Sequence, residues 1–96
     1  SNAVSANGDG LNDHFVIKGI DCYPDNVVRI YNRYGVMVYE RSGYDNVTRP
    51  FEGFSDGRAT IDRGNKLPGG TFFYTLEYAG STGKIKKAGY LYVNSQ

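Results

Sequence analysis

Thr71-Phe72-Phe73-Tyr74-Thr75-Leu76-Glu77-Tyr78 alternates with a period of two, placing Phe72, Tyr74, Leu76 and Tyr78 on one face and Thr71, Phe73, Thr75 and Glu77 on the other. The first face is a core face. Gly80 to Gly83 supplies a turn into a second strong run, Gly89 to Asn94, where Leu91 and Val93 share the face of Gly89 and oppose Tyr90, Tyr92 and Asn94. Upstream, Val27 to Tyr34 turns at Gly35 into Val36 to Arg41, a hairpin expected at the centre of the sheet. Within it Val28 and Ile30 face the core, while Val27, Arg29, Tyr31 and Arg33 form a wet face on which arginine stems can lie across tyrosine rings. Phe15 to Gly19 is the first strand candidate of the chain, and Phe51 to Phe54 and Ala59 to Asp62 are weaker ones. Short antiparallel strands at this spacing predict an all-β fold, an immunoglobulin-like antiparallel sandwich of about seven strands.

Composition agrees. Nine Tyr, five Phe and thirteen Gly with no Trp suit pleated strands and tight turns. Ninety-six residues make one domain. Ser1-Asn2-Ala3 reads as the remnant of an expression tag, so residues 1–6 are set aside as remnant and linker and 7–96 as a single domain. Eleven basic against ten acidic side chains leave a net charge of +1, too little field to attract nucleic acid or an anionic membrane. No apolar stretch approaches the roughly 20 residues of a membrane span. Cys22 is the one cysteine, so no internal disulfide forms, and it is expected as a small core or edge residue.

Asn7-Gly8-Asp9-Gly10-Leu11-Asn12-Asp13 crowds oxygen-bearing side chains between glycines. Set against an EF-hand-type loop, Asn7, Asp9 and Asp13 are candidate calcium ligands, but Val16 stands where the bidentate Glu belongs. The alternative is a plain turn in which Asn and Asp cap backbone amides. Otherwise no cofactor is expected. His14 and Cys22 are too few for structural zinc, the carboxylates are scattered, and Gly69-Gly70 lacks the Lys and Ser or Thr of a phosphate loop. No catalytic residue is assigned. Lys84-Ile85-Lys86-Lys87 is a basic run with two readings, a dock for an acidic partner or a guard against edge-to-edge aggregation.

The ordered motifs resemble the gliding motility-associated C-terminal domain, the type B sorting domain of type IX secretion in Bacteroidetes. Asn7 to Phe15 resembles its Asn-Gly-Asp-Gly-x-Asn-Asp-x-Phe opening (Asn7, Gly8, Asp9, Gly10, Asn12, Asp13), followed by Gly19-Ile20 and Tyr23-Pro24. Ile30 to Gly35, with Asn32, Arg33 and Gly35, resembles an Ile-Tyr-Asn-Arg-Trp-Gly strand, followed by Val38-Tyr39-Glu40. Leu67 to Tyr74 resembles Leu-Pro-x-Gly-Thr-Tyr-Phe-Tyr through Leu67, Pro68 and Gly70, and Gly89 to Val93 resembles the closing Gly-Tyr motif. Tyr34 takes the place of the usual Trp and Phe51-Glu52-Gly53 that of a second Trp-x-Gly, so both are expected to remain packing anchors.

The resemblance implies a non-enzymatic address label at the end of an exported protein, with the cargo N-terminal in the same polypeptide. After periplasmic transit it implies delivery to the cell surface or extracellular space. The partner implied is the type IX machinery or an outer-membrane-associated protein, met by Arg29, Tyr31, Arg33, Lys84, Lys86 and Lys87. The competing reading is a carbohydrate- or cell-surface-binding sandwich that uses the tyrosines for stacking. A hydrolase stands third, for want of a nucleophile, base and oxyanion set.

Overall fold

Ser81-Thr82, between paired Gly80 and Gly83, close a hairpin of the two longest strands. The computed structural model describes residues 3–5, 13–56 and 66–94. Their strands are β1 (Ala3–Ser5), β2 (Val27–Tyr31), β3 (Met37–Ser42), β4 (Gly70–Gly80) and β5 (Gly83–Asn94), with one 3-10 turn at Ile20–Cys22. They form one sheet in the order β1-β5-β4-β2-β3. β4 is its centre, pairing antiparallel with β5 from Gly70↔Val93 to Gly80↔Gly83 and with β2 from Val27↔Glu77 to Tyr31↔Phe73. The β2–β3 hairpin therefore lies at an edge and not at the centre, with a bulge between Ile30 and Tyr31.

The alternation read from the strands holds. Val28, Ile30, Phe72, Leu76, Tyr78, Leu91 and Val93 are buried on one face, with Tyr74 partly buried against them. Gly89 sits opposite Tyr74, and a Cβ there would meet the Tyr74 ring at 2.7 Å, so the ring lies directly over the glycine. That placement lets Tyr74 meet Phe15 edge-on at 5.0 Å.

Several expectations are corrected. The all-β fold stands, and among the described residues it takes the form of one mixed five-stranded sheet, with β1 parallel to β5 where antiparallel pairing was expected. Ala3–Ser5, in the stretch set aside as remnant and linker, pairs in parallel with Tyr92–Asn94 and sends Val4 fully into the core. Cys22 is exposed in the 3-10 turn. Phe15 to Gly19 is not a strand, and Phe51 to Phe54 contributes only the isolated bridge Phe54↔Lys66. The candidate strand Ala59 to Asp62 lies outside the described residues.

The physical reason Phe15 to Gly19 and most of Phe51 to Phe54 lie as coil is that side chains supply hydrogen bonds a neighbouring strand would have made. Coil 13–26 and coil 43–56 cover the core face with Phe15, Ile20, Tyr44 and Phe51, and Leu67 joins them. Buried backbone needs partners. Asn46 Nδ2 donates to the Ile17 carbonyl at 2.9 Å and its Oδ1 accepts from the Ile17 amide at 2.8 Å, imitating a ladder rung. Asn26, fully buried, accepts from the Tyr44 amide at 2.9 Å and donates to the Tyr23 and Tyr44 carbonyls. The Tyr44 hydroxyl donates to the Phe15 carbonyl at 2.6 Å and accepts from the Phe51 amide at 2.8 Å, beside a direct bond from the Phe15 amide to the Phe51 carbonyl.

Tyr44→Phe leaves two buried backbone groups without the hydroxyl, which costs about 1–3 kcal/mol. Tyr39→Phe, whose hydroxyl makes only a 3.5 Å contact to the Arg49 carbonyl, is expected to cost less than Tyr44→Phe. Urea unfolding of both variants checks this, and equal losses would contradict the staple.

Candidate functional site

The face of the sheet turned away from the core carries rows of side chains set by strand register. One runs Tyr90–Phe73–Tyr31–Met37 across β5, β4, β2 and β3, with Tyr92 beside it over Thr71. Tyr90 is 68% exposed, Tyr92 52% and Phe73 37%, and the Phe73 and Tyr90 rings stand 5.1 Å apart. The next rows carry charge. Arg29 Nε donates to Glu40 at 2.7 Å and its Nη1 to Glu77 at 3.2 Å, while Lys84 and Lys86 each lie 3.8 Å from Glu77. Glu40 and Glu77 together hold the Arg29 guanidinium above its usual pKa, through the Glu40 hydrogen bond first. Such half-exposed pairs are worth about 0.2–1 kcal/mol, so the lattice mainly fixes where charges point.

At one end of the sheet the β2–β3 turn displays Arg33 and Tyr34. Asn32 builds it: Oδ1 accepts from the Tyr34 amide at 2.9 Å and the Val36 amide at 3.0 Å, and Gly35 takes φ 81°, a value that penalises any side chain. Arg33 lies 4.9 Å over the Tyr34 ring and donates to its hydroxyl at 2.7 Å. The Asn32–Tyr34 and Pro68–Phe72 segments line one cleft of about 200 Å³, bringing two separate motifs together. That is smaller than the roughly 300–1,000 Å³ usual for small-molecule sites.

The six expected recognition residues are thus divided. Arg29, Tyr31, Lys84 and Lys86 share the outward face. Lys87, paired with Leu76, belongs to the opposite face, where it lines a cleft with Ile17, Ile20 and Tyr78, and Arg33 stands at the turn. Arg29 bonds to carboxylates, and only Arg33 has its guanidinium over a tyrosine ring among the described residues. Tyr34 and Phe51, expected alike as packing anchors, separate: Phe51 is buried and Tyr34 is 74% exposed. Phe73 was absent from the expected set, although the alternation of Thr71 to Tyr78 already placed it on the outward face. Asn7, Gly8, Asp9, Gly10 and Asn12 lie outside the described residues, and with them the calcium reading. Among the described residues no three His, Cys, Asp or Glu side chains group at metal-holding distance.

The described residues thus form an all-β unit that buries one sheet face and displays the other in aromatic and charged rows. Residues 1–93 match the CHU_C type IX secretion signal domain, and the chain belongs to that family. It is a C-terminal sorting signal for type IX secretion, interacting with that machinery and carried by cargo N-terminal to it. No curated protein and no solved structure matches the chain. No helix among the described residues is long and apolar enough to cross a membrane.

Burial pushes the Tyr39 phenol up to about 12, and it pushes Tyr44 up as well, partly opposed by the Phe51 amide bond. Both hold their protons more tightly folded than unfolded, where tyrosine titrates near 10. Their stabilising effect is therefore complete below about pH 10 and lost as pH rises through the folded values. Phenolate absorbance followed with circular dichroism is expected to show Tyr39 and Tyr44 ionising only as the sheet signal falls. Complete ionisation near pH 10 with the sheet intact would contradict it.

Proposed function

We propose that type IX machinery reads this domain as a preformed folded surface, through the outward face of the sheet. The observation that carries the reading is the set of exposed Phe73, Tyr90 and Tyr92 with half-buried Tyr31 beside the Arg29–Glu40–Glu77 lattice, on a sheet whose other face is covered by coil. Tyrosine and arginine are enriched at the centres of protein interfaces, tyrosine because it brings large area with few rotatable bonds and a polar tip, arginine because its planar guanidinium presents a fixed fork of donors. In this reading Arg29 is a fixed part of the surface, Lys84 and Lys86 form its rim, and Arg33 with Tyr34 extends it past the sheet end. The partner is an outer-membrane-associated protein, and the cargo reaches the cell surface or extracellular space. The label does no chemistry of its own. Clefts of about 200 Å³ beside a broad aromatic face suit a protein partner better than a small substrate.

A periplasm-directed fluorescent reporter fused ahead of the domain is expected to leave type IX-competent cells and stay in type IX-deficient ones. The double substitution Tyr90→Ser with Tyr92→Ser is expected to cut export about tenfold or more, while melting as the parent does. Full export by that variant would exclude the face, and retention of the parent fusion would exclude sorting by this domain.

A further inference from the structure

The two long edges of the sheet are finished differently. On β3 the edge is closed: Val38 accepts a backbone bond from Asp56 at 3.2 Å, and the Asp56 carboxylate accepts from the Glu40 amide at 2.8 Å. On β5, β1 pairs only with Tyr92 to Asn94, and among the described residues no strand pairs with the outer edge from Gly83 to Ala88. An unpaired strand edge is a template for another strand, and β1 shows that this edge accepts one.

The side chains along the open stretch say which strand it takes. Lys84, Lys86 and Lys87 are all exposed, the first two on the outward face and the third on the opposite one. Lys84 and Lys86 each approach Glu77 at 3.8 Å, but that carboxylate already holds Arg29 at 3.2 Å, so their charge is only partly compensated. A second copy pairing antiparallel about Lys86 would set Lys86 directly against its own counterpart, which is destabilising. A strand bearing carboxylates meets opposite charge on both faces.

We propose that the β5 edge from Gly83 to Ala88 receives an acidic extended segment of a protein of the export machinery, which adds to the sheet as a strand in line with β1. This rests on the sorting reading above and names the chemistry of its partner. Main-chain hydrogen bonds supply affinity, and the three lysines select an acidic over a neutral or basic segment.

The test uses two synthetic peptides, one alternating glutamate with valine and one alternating lysine with valine, with amide hydrogen exchange as the readout. The acidic peptide is expected to bind and slow exchange across Gly83 to Ala88, while the basic peptide does neither. The combined Lys84→Glu, Lys86→Glu and Lys87→Glu variant is expected to lose about tenfold or more in affinity for the acidic peptide and to gain the basic one. The single Lys86→Glu variant, expected to shift preference in the same direction, keeps the test open if the triple variant misfolds. The proposal is overturned if the acidic peptide fails to bind, or binds without slowing those amides. It is overturned too if they are already slowed by self-association at high concentration, or in a chain extended ahead of Ala3. Reporter export separates the two readings: failure of the parent domain to direct export defeats the sorting reading, whereas undiminished export by folded lysine variants defeats only the edge.

Discussion

A coil can lie buried against a sheet only if its backbone groups find hydrogen-bond partners there, and in this chain three side chains provide them. Asn26, Tyr44 and Asn46 bind the main chain of Phe15, Ile17, Tyr23, Tyr44 and Phe51 in the places where ladder bonds would stand. Because they do, Phe15, Ile20, Tyr44 and Phe51 cover the core face as coil and not as strands. An unmade bond at such a depth costs about 1–3 kcal/mol, comparable to a sizeable part of the stability of a small domain. The coil is therefore as specific a layer as a sheet, held at fewer points.

That economy leaves the outward face free. Charges there are tied to one another by Arg29 and Glu77, so the surface holds its pattern without a covering layer. A sorting signal has to be recognised whatever cargo precedes it, and a pattern fixed within the domain meets that need. The two edges complete the asymmetry, one stitched shut by Asp56 and one open along the lysines.

Much of this was legible in the residue order, and the failures are instructive. Thr71 to Tyr78 and Gly89 to Asn94 showed their buried and open faces because period-two alternation survives into the sheet unchanged. The motifs from Asn32 to Gly35 and Leu67 to Gly70 carried the family, and the family match bears out the sorting role. Phe15 to Gly19 has a strand's composition, and the partners that hold it as coil are distant: Asn46, 29 residues on from Ile17, and Tyr44, 29 on from Phe15. Val4 gave no local signal, since a three-residue parallel strand depends wholly on the β5 edge it joins. Tyr34 and Phe51 look alike as aromatics; one sits in the tight turn that Gly35 closes and is exposed, while the other packs edge-on against Tyr39 and gives its amide to the Tyr44 hydroxyl.

The claim that one face is read and the other is structural is tested most directly by placing a photo-crosslinking residue at Phe73 on the outward face or at Val47 on the exposed coil side during export of a fused reporter. The account predicts an adduct from Phe73 that forms in type IX-competent cells and is absent from deficient ones, with none from Val47. An adduct from Val47 and none from Phe73, in variants exported equally well, would contradict it.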